Sequence, residues 1–512
     1  MAETNPILTF FTDVRDTHAS GVGVKETSYY PAIANLFNAL GKNLKPRVRC
    51  IVHPHSIGAG LPDGALITAD QKSTASDPLA DGLIPSRGVI EVKPPSDDAH
   101  AIAKSAQVQK YIDKYGLVLV TTLRQFVIVV RVDGKPKELE SFTIAENESD
   151  FWKAVKNPQT LSEDLSAFLH EYLLRVLLQK APLTAPKEVA WFLASYARES
   201  KARIDKKASL PGLMAVRSAL EQALGLKFTG EEGEHFFRSS LVQTLFYGVF
   251  SAWVLWSKRP SAKLKENFNW HEAAWSLHVP AIKTLFEHLA TPTKLKDLGL
   301  EEILNWTEAA LNRVDRELFF ANFEEKHAVQ YFYEPFLAAY DPVLRKRMGV
   351  WFTPPEIVKY MVTRIDQVLR EEMKVTGGFA NPEVFVLDPC CGTGAFLVEV
   401  LRLIHARLEE EGGDALTADD IKTAAMERVF GFEIIPAPFV VSHLQLGLFL
   451  QDIGAPLSED LHERVGVYLT NALTGWNPTG PKTSFFWPEL EEERDAAERR
   501  QLTQRPVAGL PS

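Results

Sequence analysis

The sequence predicts an α/β protein in which two strand-and-helix regions flank an all-helical middle, and three patterns in the 512 residues predict it. Residues 1–150 carry short apolar runs separated by turn residues, the signature of strands. Residues 151–345 repeat apolar side chains every three or four positions, the period of a helix face. Residues 346–512 return to strand–loop–helix alternation around a glycine-rich turn. A chain of this length accommodates about three domains.

In the first region a helix is expected around residues 26–40, followed by strands at 64–68, 88–92, 117–122 and 126–132, with Asp133-Gly134 as a turn. In the middle, helical spacing is clearest at 168–178, 236–256 and 309–323. Residues 239–257 carry no charge, but Gln243, Thr244, Gly248 and Ser251 break their apolarity, so a buried helix is expected there rather than a membrane span. In the last region, 384–387 reads as a buried parallel strand, 417–427 as a helix and 428–432 as a second strand. The charged run 490–504 reads as a solvated helix.

The net charge of −10 excludes a wholly basic DNA-coating protein. The basic clusters Lys206-Lys207, Lys258-Arg259 and Arg345-Lys346-Arg347 read as solvated surface charge. Three cysteines, Cys50, Cys390 and Cys391, form neither a disulfide framework nor a CxxC metal pattern, which fits a reducing cytoplasm. The N-terminus has no basic stretch followed by an apolar core, so no signal peptide is expected. No GxxxxGK[ST] string occurs, which excludes a P-loop ATP motor.

Two clusters carry chemistry. The first is Asp63, at the entrance of one strand, and Glu91 with Lys93 on another, the two acids 91 − 63 = 28 positions apart. Alternation along 89–93 puts Glu91 and Lys93 on one strand face. Two carboxylates, Asp63 and Glu91, suit Mg²⁺, and a neighbouring lysine can orient the attacking water. Solvated strand-end charge is the alternative. The second cluster is DPCCGTGAFL, residues 388–397. Asp388 ends a strand, and the glycines Gly392 and Gly394 let the backbone approach a ligand at the start of a new helix. Asp388 can accept a hydrogen bond from an ammonium group. Glu433 closes the next strand, 433 − 388 = 45 residues on. The helix at 417–427 accounts for the excess over the usual spacing to a ribose-binding acid. Upstream, Thr353-Pro354-Pro355-Glu356 reads as a helix start, with Thr353 as N-cap, Pro354 at the first helical position and Glu356 closing a capping box.

The 388–397 string resembles the first motif of adenine-specific DNA methyltransferases, D-P-x-C-G-x-G-x-F. The resemblance implies an incomplete Rossmann-like class I methyltransferase domain over 346–512. It implies that Asp388, Pro389, Cys391, Gly392, Gly394 and Phe396 bind S-adenosylmethionine, that Glu433 takes its ribose, and that Thr353-Pro354 lies at its methionyl end. Ile434, next to that acid, either packs on the cofactor's adenine or fills ordinary core. The motif order resembles that of Type I modification subunits and single-chain (Type IIG) restriction-modification enzymes. The first cluster resembles PD-(D/E)xK nucleases, with Gln107 and Tyr111 as their Q-x-x-x-Y and Glu26 as their upstream acid, on the early helix. A nuclease over 1–150, a helical spacer over 151–345 and a methyltransferase over 346–512 together resemble that class along nearly the whole chain.

The family's D/N/S-P-P-Y/F motif, which receives the exocyclic amine of a flipped adenine, occurs nowhere in the sequence. Asn477-Pro478-Thr479 lacks the second proline and the aromatic. In 467–475, which matches the strand end preceding that motif, Asn471 either stands near the incoming adenine or is a turn residue. Only three strands of the family's seven-stranded sheet are recognisable, so an uncovered strand edge and a truncated or split polypeptide are expected. The expectation is a restriction-modification protein acting on double-stranded DNA, with S-adenosylmethionine and Mg²⁺ as cofactors, completed by a C-terminal fragment or subunit. The alternative is a non-catalytic DNA- or cofactor-binding remnant, or one half of a split enzyme. The nuclease pattern argues against a methyltransferase of RNA or protein.

Overall fold

The computed structural model describes residues 5–472, less 22–25, 55–59, 72–83, 133–134, 208–210, 225–226, 259–266, 274–294, 296, 323–331, 343–352, 411, 414–416 and 459–462. It divides into two compact units, Met1–Pro182 and Leu183–Ser512. The Asp133-Gly134 turn, Arg259, the 345–347 cluster, 477–479 and 490–504 lie outside the described residues.

The first unit is built on a six-stranded mixed sheet whose strands neighbour one another in chain order: β1 (Val48–Val52), β2 (Gly64–Thr68), β3 (Val89–Val92), β4 (Leu117–Thr121), β5 (Gln125–Val132) and β6 (Lys135–Thr143). All pairs are antiparallel except β3–β4. A parallel pair needs a crossover, and the helices Ala99–Ala103 and Ala106–Tyr115 supply it. Alternation sorts the central strands onto two cores. Leu117, Leu119, Phe126 and Ile128 face one that includes Phe10, Phe11 and Phe37. Val118, Val120, Val127 and Val129 face another with Val108, Tyr111, Ile112 and Tyr115. Gly88 opens β3 at φ +92°, where a Cβ would stand 2.6 Å from the Leu117 carbonyl oxygen, so this entrance requires glycine.

Three findings in this unit depart from the sequence reading. The helices Glu148–Val155 and Pro158–Leu178 pack Phe151, Val155, Leu169, Tyr172 and Leu173 into the first core, so the unit runs on past residue 150 to Pro182. Strand β6 was hidden by its charge. It is a half-exposed edge strand, yet its Glu140 is buried and meets the buried Arg175 at 2.9 Å. Glu26 is not on the early helix. It precedes a 3₁₀ turn, Thr27–Tyr29, and the helix proper is Tyr30–Gly41. Pro31 explains the late start, because proline suits a helix's first turn.

In the second unit the long helix Gly230–Ser257 is buried nearly all round from Phe237 to Val254 and packs against the helix Pro436–Asp452. Two of its polar side chains find partners inside the protein: Ser239 Oγ donates to Asp341 Oδ2 at 2.6 Å, and Thr244 Oγ1 donates to the Ser240 carbonyl at 2.7 Å. Among the described residues no helix is long and apolar enough to cross a membrane. The single helix expected over 309–323 is two, Glu301–Leu311 and Arg316–Asn322. Val314 breaks the run by bridging Leu183, and the Asp315 N–H donates to the Leu183 carbonyl at 2.9 Å.

The unit's sheet is β7 (Val386–Asp388), β8 (Val429–Glu433) and β9 (Val467–Leu469), all parallel and in that order. The helices Ala395–Glu410 and Thr417–Glu427 connect β7 to β8, and Pro436–Asp452 connects β8 to β9. β7 is not the buried strand its apolar residues suggest: Leu387 is 40% and Phe385 57% exposed. It is the edge of the sheet among the described residues, paired only with β8. The helix expected to be capped by Thr353 begins at Pro355, with Pro354 in extended conformation as N-cap and no side-chain cap. A residue before proline is driven out of the helical region, so Pro355 holds Pro354 outside the helix and the expected capping box with Glu356 does not form.

Candidate functional site

In the first unit, β2 and β3 pair with Gly64 opposite Ile90. Continuing that antiparallel register by one residue brings Asp63 opposite Glu91. Glu91 and Lys93 share a strand face, and Lys93 Nζ lies 2.6 Å from Glu91 Oε1 and 2.9 Å from Glu26 Oε1. Asp63 Oδ2 accepts the Val92 N–H at 2.8 Å, and Asp63 Oδ1 accepts the Tyr30 hydroxyl at 2.5 Å. Glu26, Asp63, Glu91 and Lys93 are thus brought together. Gln107 and Tyr111 bond each other at 3.0 Å one helical turn apart, Gln107 exposed and Tyr111 buried. No hydrogen bond joins either to the acids among the described residues.

Glu91 is 1% exposed, and burial pushes its carboxyl up to about 7, against the pull of Lys93 and with repulsion from Asp63 and Glu26 added. Burial opposes the charge on Lys93 too, but its bonds to Glu91 and Glu26 outweigh that and raise its pKa. Burial, and then the bond to Asp63, raise the Tyr30 phenol. Glu91 Oε2 is buried with no hydrogen-bond partner. An orphaned carboxylate oxygen in an acidic cluster suits a cation or ordered water. Even so, among the described residues no group of three or more His, Cys, Asp or Glu side chains is arranged to hold a metal ion. The Lys93 ammonium bridges Glu91 and Glu26 and balances one of their two negative charges. Tyr30 was missed from the sequence, since a phenol 33 residues from its partner has no spacing rule.

In the second unit, Asp388 ends β7 and its Oδ1 accepts the Cys390 N–H at 3.1 Å. The loop then crosses to β8. The Cys391 N–H donates to the Phe432 carbonyl at 2.9 Å, and the Gly392 N–H to Glu433 Oε2 at 2.9 Å. Glu433 Oε1 accepts the N–H groups of Ile434 and Ile435 at 2.8 and 2.7 Å. The acid expected to bind ribose therefore also pins the glycine turn. Burial raises the carboxyls of both Asp388 and Glu433, and these hydrogen bonds offset only part of the rise.

Gly392 and Gly394 adopt φ +56° and +84°, conformations that favour glycine. A Cβ on Gly392 would meet nothing within 4 Å, so the turn opens onto free space there. An open cradle flanked by two carboxylates, ahead of the helix Ala395–Glu410, fits a cationic nucleoside. Pro389 is exposed, Cys391 is buried, and Phe396 and Ile434 are half-buried. Asn471 follows β9, where the Thr470 N–H donates to the Glu433 carbonyl at 2.8 Å. Thr353 and Pro354 are exposed, and no hydrogen bond joins them to the loop among the described residues.

No curated protein matches the chain. Among solved structures it is similar to DrdV in its complex with DNA, at 18% identity and a TM-score of 0.41 over 98% of this chain and 42% of that one. It is similar to the ATP-dependent Type ISP restriction-modification enzyme LlaBIII bound to DNA, at 19% and 0.38 over 62% and 19%. It is also similar to a nuclease-deletion mutant of the Type ISP enzyme LlaGI with a DNA substrate mimic, at 16% and 0.40 over 69% and 28%. The chain spans less than half the length of each. Residues 324–466 match the family model described as N-6 DNA Methylase, and that span takes in β7, the glycine turn, β8 with Glu433, and the helix Pro436–Asp452.

Proposed function

We propose that the second unit carries the S-adenosylmethionine site of an adenine N6-specific DNA methyltransferase, and that the acidic cluster of the first unit is a Mg²⁺-dependent nuclease centre of the same restriction-modification protein. The observation that supports the first half is the open glycine turn pinned to Glu433, inside the span that matches the N-6 DNA methylases. Asp388 and Glu433 would hold the cofactor, which supplies an electrophilic methyl group. Gly392 gives it room. Ile434 would pack on the adenine ring, and the Thr353-Pro354 segment would stand at the methionyl end. Adenine in double-stranded DNA is the proposed acceptor, reached by base flipping, with Asn471 near it.

Calorimetry tests this reading. Wild-type protein should bind S-adenosylmethionine, and Asp388→Ala and Gly392→Val should not; equal affinity in all three removes the assignment. The 512 residues contain no D/N/S-P-P-Y/F string, so methyl transfer to DNA is measured with and without a polypeptide that supplies one. Transfer appearing only with it favours the split-enzyme reading.

The nuclease half is supported by the orphaned, buried Glu91 Oε2 beside Asp63 and Lys93. Asp63 and Glu91 would hold Mg²⁺, which lowers the pKa of a bound water. Lys93 would turn from Glu91 towards that water while keeping its bond to Glu26. Gln107 and Tyr111 would line the approach. Cleavage of DNA that requires Mg²⁺ and is lost in Asp63→Ala is the result expected.

A further inference from the structure

The glycine turn has a third anchor besides β8 and Glu433. The Cys391 and Gly392 N–H groups are held from the β8 side. The next carbonyl, that of Thr393, is held from elsewhere: Gln445 Nε2 donates to it at 2.7 Å. Gln445 lies in the helix Pro436–Asp452 and is 9% exposed. One helical turn earlier, the fully buried Ser442 packs on Gly394, where a Cβ would come within 3.0 Å of Ser442 Cβ. Residues three apart share a helix face. This helix therefore presents a small side chain and an amide donor to two consecutive residues of the turn.

Holding the Thr393 carbonyl fixes the 393–394 peptide plane, because the bond is planar. It turns the Gly394 N–H back into the loop, where it donates to the Cys391 carbonyl at 2.8 Å. With that plane set, Gly392 is left as the residue facing open space. We propose that Gln445 is a positioning residue of the cofactor site, which sets the shape of the glycine turn through the Thr393 carbonyl without touching the ligand. This rests on the S-adenosylmethionine reading. Neither the glycine string nor the spacing of the acids points to Gln445. Its contact spans 52 residues and is made only when the helix packs against the turn.

The test uses the full chain with Gln445→Met, which keeps length and apolar bulk but has no donor, and Gln445→Glu. Hydrogen exchange on ligand-free protein reads the turn directly, and calorimetry reads S-adenosylmethionine affinity. Gln445→Met should lose protection of the 391–394 amides and bind about five- to tenfold more weakly, the weight of one neutral hydrogen bond. Gln445→Glu should be weaker still at pH 8, where a carboxylate faces a carbonyl. As the pH falls to 5 its affinity should recover relative to wild type at the same pH, because a protonated carboxyl can donate. A merely space-filling role would not give that pH-dependent recovery. Unchanged exchange and affinity in Gln445→Met, or no recovery in Gln445→Glu, overturns the proposal. Absence of S-adenosylmethionine binding by wild-type protein overturns the cofactor reading itself. The exchange data, taken without ligand, tell that failure from a failure of the anchor.

Discussion

In the first unit, Asp63 and Glu91 take partners mainly from other side chains: the Tyr30 phenol for one, the Lys93 ammonium for the other, with Val92 as the one backbone donor. In the second, Glu433 takes three partners, and all are backbone N–H groups. The first arrangement leaves a carboxylate oxygen orphaned and a carboxyl near pKa 7. The second fills both oxygens of its acid and spends them on holding a loop. Side-chain partners can rearrange when a ligand arrives, whereas backbone donors fix the shape into which a ligand fits. The acidic cluster is suited to exchange a counter-ion, and the glycine turn to present a preformed surface.

Breaking the side-chain arrangement should have the largest effect. Lys93→Ala leaves Glu91 and Glu26 without their cation, and Mg²⁺-dependent DNA cleavage should fall by about a thousandfold. Cleavage within tenfold of wild type would show that the cluster is not a reaction centre. Next comes the buried Arg175–Glu140 pair of the same unit. Arg175→Leu strands a buried carboxylate and should destabilise the first unit by about 3–5 kcal/mol in urea denaturation, while leaving the second unit's transition in place.

A smaller loss is expected where the backbone does the holding. In Glu433→Gln one of the two oxygens becomes an NH₂ group facing an N–H donor, which costs about 1–3 kcal/mol. The signature is faster exchange of the 392, 434 or 435 amides. If none of the three exchanges faster, Glu433 does not hold the turn.

The last effect builds up gradually with pH. Burial first, and Arg464 second, push the His443 imidazole down to about 3. Below the ordinary histidine value of 6.5 the unfolded chain takes up a proton that the folded one refuses. Stability is therefore lost as pH falls from about 6.5 towards 3, at about 1.4 kcal/mol per pH unit for a single site. His443→Leu should flatten that slope for the second unit. The Val467 carbonyl keeps its bond from Arg464 Nη2 at 2.7 Å. An unchanged slope would place the acid sensitivity in other groups.

Much of both centres was written in short stretches of sequence. Period-two alternation placed Glu91 and Lys93 together, the helix over 417–427 lies where its spacing put it, and the turn after Asp388 bends at its glycines. These are decided within a few residues by backbone geometry and side-chain period, and so a sequence carries them openly. Packing decided the rest. Tyr30 reaches Asp63 across 33 residues, and Gln445 reaches Thr393 across 52. Leu183 breaks a helix at Val314, and the charged β6 becomes a strand because β5 offers it an edge. Such pairings depend on which surfaces meet once both cores have formed, and no local pattern records a partner that distant.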